Sequence, residues 1–244
     1  MPFTISHAAA IIPFNRRPFI LSALITGSMS PDFLYFIPGI PNQAITHTLP
    51  GLLIFCLPAS LAVLLLYHHW LQQPLQSLLP RSIRLRLPGH SFNPSWPWIV
   101  VSILIGAFTH IFWDSFTHSY GQGVKLLPIL EQPVITVAGE TLLFYKLLQY
   151  LSTILGGLVV IVWAAQWLWQ QPPQETPMVT ERSNPLLLVL ITISSSLLGL
   201  VYGLLYYPVG GFKGFAVQAV IVTMSGFCGL LGLYAVAWHV HHRR

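Results

Sequence analysis

The segment THIFWDSFTH places His110, Asp114 and His118 at four-residue steps. On an α-helix each residue turns about 100°, so successive members are offset by only about 40° and all three point into one sector. A carboxylate between two imidazoles at this spacing suits a divalent cation, because neutral His nitrogens and Asp oxygens are both ordinary ligands for zinc. His47 stands just before a long apolar run, and Asp32 precedes it by fifteen residues in SMSPDFLYF. Pro31 and the later PGIP are turn signals that can bend the chain back to the same face. The expected cluster is therefore Asp32, His47, His110, Asp114 and His118, with His7 as a sixth member.

The chemistry expected of this cluster is hydrolytic. A zinc ion with an open coordination position brings the pKa of bound water to about 7 and polarises a phosphoryl or carbonyl oxygen. Asp32 or Asp114, where not fully occupied by metal, would accept a proton. Glu140, just before the third long apolar run, is the outlying acid, with a solvated loop position as its alternative. A purely structural reading stands beside this one. An uncompensated Asp near hydrocarbon costs roughly 2.5 to 3.5 kcal/mol on insertion scales, so Asp114 needs a cation or a buried partner under either reading. His68, His69 and His90 read as hydrogen-bonded structural residues, and His239, His241 and His242 as an interfacial tail.

The elements that must hold these residues are apolar helices. Five uncharged runs reach or approach the roughly 20 residues that cross hydrocarbon: Leu49 to Tyr67, Pro97 to Trp113, Leu147 to Trp169, Leu186 to Tyr207 and Phe215 to Trp238. The second is short and keeps its helical pattern through Asp114 to His118, so its polar end needs partners at the interface or inside the protein. If the first two runs are antiparallel neighbours, His47 and the His110 to His118 segment meet at one membrane face. A shorter stretch, Phe19 to Thr26, follows Arg16 and Arg17. It lacks a clear small-residue cleavage site, and we expect it to be retained and packed on the bundle or partly inserted.

The expected fold is an all-α polytopic membrane bundle of about five transmembrane helices with short or re-entrant N-terminal helices. Residues 1–157 form the metal-site region and 158–244 the scaffold helices of one continuous domain. Gln72 to Ser95 and Gln170 to Asn184 read as loops outside the bilayer. Lys146, Gln149, Tyr150 and Ser152 open the third run, where Gln149, Ser152 and Thr153 share a helical face. Gln149 and Ser152 are expected to support the site through hydrogen bonds, or to pack against neighbouring helices.

Composition agrees. Only 7% of the 244 residues are charged and 54% are apolar, against roughly a quarter charged in a soluble domain. The formal charge of +5 is not gathered into a basic helical face, so nucleic acid is not an expected partner. Membrane lipids are. Cys56 and Cys228 both lie in apolar runs and suggest neither a disulfide framework nor a thiolate metal site. With five spans, one side holds Arg81, Arg84, Arg86, Arg182, Arg243 and Arg244. The other holds Lys125, Lys146 and Lys213, with Arg16 and Arg17 if the N-terminal stretch does not cross. The first group marks the cytoplasmic side under the positive-inside rule, which places the cluster on the non-cytoplasmic face.

The order MPFTISHAAAIIP, GSMSPDFLYF, THTLPG, GAFTHIFWDSFTH and QYLST resembles the domain-of-unknown-function 4184 family of bacterial membrane proteins, with the match running from residue 1 to about residue 157. More distantly, the chain is similar to LexA-regulated membrane-bound metal-dependent hydrolases and to bacterial zinc-dependent phospholipase C. That resemblance implies Asp32, His47, His110 and Asp114 as ligands of a first metal. It implies Asp114 as a bridge to a second, and His7 and His118 as donors to additional ions. The phospholipases carry further His and Glu ligands after the HxxxD helix, where the following loop of this chain has Glu131 and Glu140 as its only acidic residues. A bacterial cytoplasmic-membrane hydrolase of a phosphoester or lipid-like substrate is the expectation. The rival is a transporter or assembly factor, disfavoured because polar residues concentrate at one end of the spans.

Overall fold

The computed structural model describes residues 4–37, 44–87, 95–137, 140–175 and 183–242; His90, Arg243 and Arg244 lie outside them. The fold is all-α, with five helices long and apolar enough to cross a membrane. Helix α1 (Leu21–Met29) precedes the five spans: α2 (Leu49–Ser77), α3 (Trp96–Thr117), α4 (Phe144–Gln170), α5 (Pro185–Phe212) and α6 (Gly214–His242). Two 3-10 segments, Thr4–Phe14 and Ser30–Phe36, flank α1. The chain is an integral membrane protein.

The long helices extend the apolar runs read from sequence. The largest extension is in α2, which continues past Tyr67 to Ser77, so Gln72 to Ser77 is helix and not loop. Polar burial explains this: Gln72, Gln76 and Ser77 are all buried, and Ser77 Oγ lies 2.6 Å from Tyr234 Oη. Two π-helical turns, Leu52–Cys56 and Tyr67–Leu71, each fall just before a proline, Pro58 and Pro74. A proline inside a helix has no N–H for the carbonyl four residues back, and a wider turn accommodates the loss.

By their contacts the residues form two compact units, one of residues 1–33, 41–64 and 93–167, the other of residues 34–40, 65–92 and 168–244. In the second, His239 Nε2 donates to the Trp70 carbonyl at 2.8 Å, and Arg86 Nη1 donates to the Gln171 carbonyl at 2.6 Å. Gly211, with φ +58, separates α5 from α6; this left-handed conformation suits glycine.

The first unit holds every candidate site residue. Helix α1 has nine residues, less than half of the roughly 20 that cross hydrocarbon, and is packed on α3. Glycine makes the crossing close. A Cβ at Gly27 would overlap the Ile103 carbonyl oxygen, and one at Gly106 would overlap the Leu24 carbonyl oxygen. Small residues let helix backbones meet without a side chain between them, as in membrane helix pairs generally. The Ile20 N–H also donates to Ser102 Oγ at 3.0 Å, tying the start of α1 to α3. The 3-10 helix Thr4–Phe14 packs against both, burying His7, Ala8 and Ile11. Leu52, Cys56 and Ala107 join α2 to α3 in a small apolar core.

A hairpin of β1 (Pro133–Val137) and β2 (Glu140–Leu143) stands between α3 and α4 in sequence and is the one sheet among the described residues. The β-branched run Val134, Ile135, Thr136 and Val137 favours extended backbone, a local signal not read from the apolar pattern.

Candidate metal centre

Four stretches of backbone converge. The N-terminal 3-10 helix supplies His7, the 3-10 turn after α1 supplies Asp32, the turn before α2 supplies His47, and the last two turns of α3 supply His110 and Asp114. Asp32 and His110 are 0% exposed, Asp114 3% and His7 4%.

Their polar atoms are too far apart for hydrogen bonds and at the separation of ligands that share one ion. His47 Nε2 lies 3.4 Å from Asp32 Oδ1 and 3.6 Å from Asp114 Oδ2. His110 Nε2 lies 3.6 Å from Asp32 Oδ1 and 3.4 Å from Asp114 Oδ2. Direct N–H···O bonds fall at about 2.7 to 3.2 Å. Two ligands each about 2.1 Å from a zinc ion, at the tetrahedral angle, lie about 3.4 Å apart. The second carboxylate oxygen of Asp114 faces elsewhere: Oδ1 is 3.4 Å from His7 Nε2 and 3.6 Å from His118 Nδ1. The His7 ring is stacked on His110, centroids 3.6 Å apart.

The decisive observation concerns what these atoms lack. His7 Nε2, Asp32 Oδ1, His110 Nε2 and both carboxylate oxygens of Asp114 are buried without a hydrogen-bond partner. A buried unsatisfied polar atom costs about 1–3 kcal/mol, and more where the group is charged. Five of them at one point would cancel most of an ordinary folding free energy of about 5–15 kcal/mol. With neutral imidazoles the two carboxylates carry a charge of about −2, which a divalent cation would balance.

The surrounding hydrogen bonds aim the lone pairs inward. The Ser28 carbonyl can only accept, so His110 Nδ1 carries the proton it donates there at 2.7 Å, and Nε2 faces the cluster as an acceptor. The Thr46 hydroxyl donates to the Pro31 carbonyl at 2.8 Å, leaving its oxygen to accept from His47 Nδ1 at 3.0 Å; again Nε2 points inward. Thr4 Oγ1 donates to Asp32 Oδ2 at 2.8 Å and orients that carboxylate. Such outer hydrogen bonds fix tautomer and ring orientation around metal sites.

The family model described as "Domain of unknown function (DUF4184)" matches residues 1–236. The chain belongs to this family. The match extends well beyond residue 157, through the scaffold helices to near the end of α6. Neither curated proteins nor solved structures yield a match.

Of the other residues singled out in the sequence, His118 stands at the rim with both ring nitrogens engaged. The Lys146 ammonium, which can only donate, bonds Gln149 Oε1. Gln149 Nε2 therefore donates to His118 Nε2 at 3.1 Å, and His118 Nδ1 donates to the Asp114 backbone carbonyl at 3.2 Å. Its inward nitrogen bears a proton, so the geometry assigns it to holding Asp114. Burial pushes the His118 ring below its ordinary range, consistent with a neutral imidazole in this chain of bonds. Gln149 is 1% exposed.

Ser152 donates to the Gln149 carbonyl at 3.1 Å and lines a groove beside His7. Glu140 is exposed at the start of β2, opposite Val137. Among the described residues it takes no part in the carboxylate–imidazole contacts of the cluster, so the proton-accepting position expected for it lies outside the site.

Sequence reasoning missed Thr4, Thr46 and the carbonyls of Ser28 and Pro31. A signal for Thr46 was present: the dipeptide Thr-His occurs at 46–47, 109–110 and 117–118. In the first and third, the Thr hydroxyl lies 3.0 and 3.2 Å from Nδ1 of the following His.

Proposed function

We propose that this protein is a membrane-embedded metal-dependent hydrolase acting on a phosphoester, with zinc as its metal. The observation that carries the reading is the convergence of four ligand atoms from Asp32, His47, His110 and Asp114 at 3.4–3.6 Å spacings, those of Asp32, His110 and Asp114 buried without a hydrogen-bond partner. This set would hold one ion. Asp114 Oδ1 and His7 Nε2, 3.4 Å apart, would contribute to a second position with few protein donors, which a substrate oxygen would complete. Bound metal supplies Lewis acidity and a water acidified to a pKa of about 7.

The protein's own residues do the rest. Asp114, with Oδ2 toward His47 and His110 and Oδ1 toward His7, would be a ligand at both positions. His118 keeps Asp114 in place through its backbone. His7 is held neutral by burial, which pushes its ring down to about 3, so its Nε2 remains a donor atom for metal across the ordinary pH range. Burial of Asp32, His110, Asp114 and His7 lowers the local dielectric and strengthens each of these interactions.

We place the protein in the bacterial cytoplasmic membrane with the site on the non-cytoplasmic face. Five alternating crossings would put residues 47, 118 and 144 on one side and Arg81, Arg84 and Arg86 on the other. Arginine-rich loops remain cytoplasmic.

The test is hydrolysis by purified protein of bis-p-nitrophenyl phosphate and of phosphatidylglycerol in mixed micelles. We expect release of product that a chelator stops and added Zn²⁺ restores. A zinc-loaded protein inert toward both, and toward the corresponding monoesters, would contradict the hydrolase reading and favour a structural or transport role for the site.

A further inference from the structure

Beside the cluster lies a groove of about 480 Å³, within the range of about 300–1,000 Å³ typical of ligand sites, and its walls are almost wholly apolar. One wall is the N-terminal 3-10 helix, with Ala9 and Ala10; the other is α4, with Leu148, Leu151, Leu155 and Val159. Trp113 of α3 and His7 also line it. From Leu148 to Val159 the groove follows α4 for about 16 Å, at 1.5 Å per residue, into the apolar length of that span.

Three features identify its occupant. The groove is continuous with the membrane-facing surface of α4: Leu151 is 43% exposed and Leu155 56%, in a span that is almost entirely unburied within the molecule. The side chains that face it offer hydrocarbon rather than hydrogen bonds, since Ser6 and Ser152 both donate to backbone carbonyls. His7 lines the groove and also belongs to the cluster, its Nε2 3.4 Å from Asp114 Oδ1. A ligand lying here has an apolar tail in the groove and a polar group at His7.

We propose that the groove binds one acyl chain of a membrane phospholipid and thereby presents the phosphodiester of its headgroup to the His7 side of the cluster. This rests on the hydrolase reading for the headgroup, and names a bilayer lipid, entering sideways, as the substrate class. A soluble phosphoester would leave the groove without a partner.

The experiment uses the full-length chain in nanodiscs of phosphatidylethanolamine and phosphatidylglycerol, with a trace of phosphatidylglycerol carrying a diazirine in its acyl chain. After photolysis, adducts are mapped by peptide mass spectrometry, and zinc is measured on the same sample. Adducts should concentrate several-fold on the peptides containing Ala9, Ala10, Leu151 and Leu155, relative to the exposed face of α5. Ala10→Trp, which fills the groove from one wall, and Leu155→Trp, which fills it from the other, should each remove that excess while zinc content and the α5 adducts stay as in the wild type.

An even distribution over all exposed spans, groove adducts that survive both substitutions, or cross-links from the groove to a second copy of the chain would overturn the proposal. Groove adducts present in a protein that binds no zinc would overturn the metal reading and leave the acyl-chain site standing.

Discussion

Which nitrogen of His47 faces the cluster is decided by a hydroxyl of the preceding residue. Thr46 accepts from His47 Nδ1 and passes its own proton to the Pro31 carbonyl. Replacing it by the isosteric Thr46→Val removes the acceptor, and zinc affinity measured by competition with a chromophoric chelator should fall about 10- to 100-fold. Thr46→Ser should restore most of the loss, which a simple packing role for the Thr methyl would not allow. His7 makes a prediction about pH. Burial lowers its ring from 6.5 to about 3. Between those values the unfolded chain holds a proton that the folded chain does not, so stability rises with pH across the window and is lost as pH falls. Metal-free protein should therefore unfold at progressively lower temperature as pH is reduced from about 6.5 toward 4, and His7→Phe should flatten that slope. An unchanged slope would contradict a neutral buried His7.

At the level of elements, the site depends on how closely α1 and α3 cross. Gly27 and Gly106 bring the two backbones into contact, which sets Ser28 against His110 and carries the chain into the turn that bears Asp32. Gly106→Val should destabilise the protein by about 3 kcal/mol through overpacking, read as a lower unfolding temperature, and should lose zinc in parallel; wild-type stability in that variant would show that the crossing does not need glycine. Much of this was legible in the sequence. The i, i+4 steps from His110 to His118 and the five apolar runs are periodic signals, and periodicity survives translation into helices. The crossing was not, because a glycine in an apolar run carries no mark of which carbonyl it will meet. Nor was the difference between His110 and His118: both sit on one helical sector, and only Gln149 of another helix, bonded to Nε2 of the second imidazole, tells them apart.

For the whole molecule, a chain with 7% charged residues buries two aspartates completely or nearly so where hydrocarbon surrounds most of its length. Membrane location was readable from composition, since a typical soluble domain carries roughly a quarter charged residues. The convergence of His7 with residues more than a hundred positions away is a property of the tertiary fold alone, although the family match over residues 1–236 extends across every element that makes it. The account stands on a cation at that convergence. The direct test is zinc per chain, by inductively coupled plasma mass spectrometry, in protein purified without a metal-binding tag and dialysed after zinc loading. Wild type should hold at least about one equivalent, as its ligand count implies, and Asp114→Asn should retain less than a tenth of the wild-type amount. A wild-type protein that emerges metal-free, or an Asp114→Asn variant that binds as much as wild type, would contradict it.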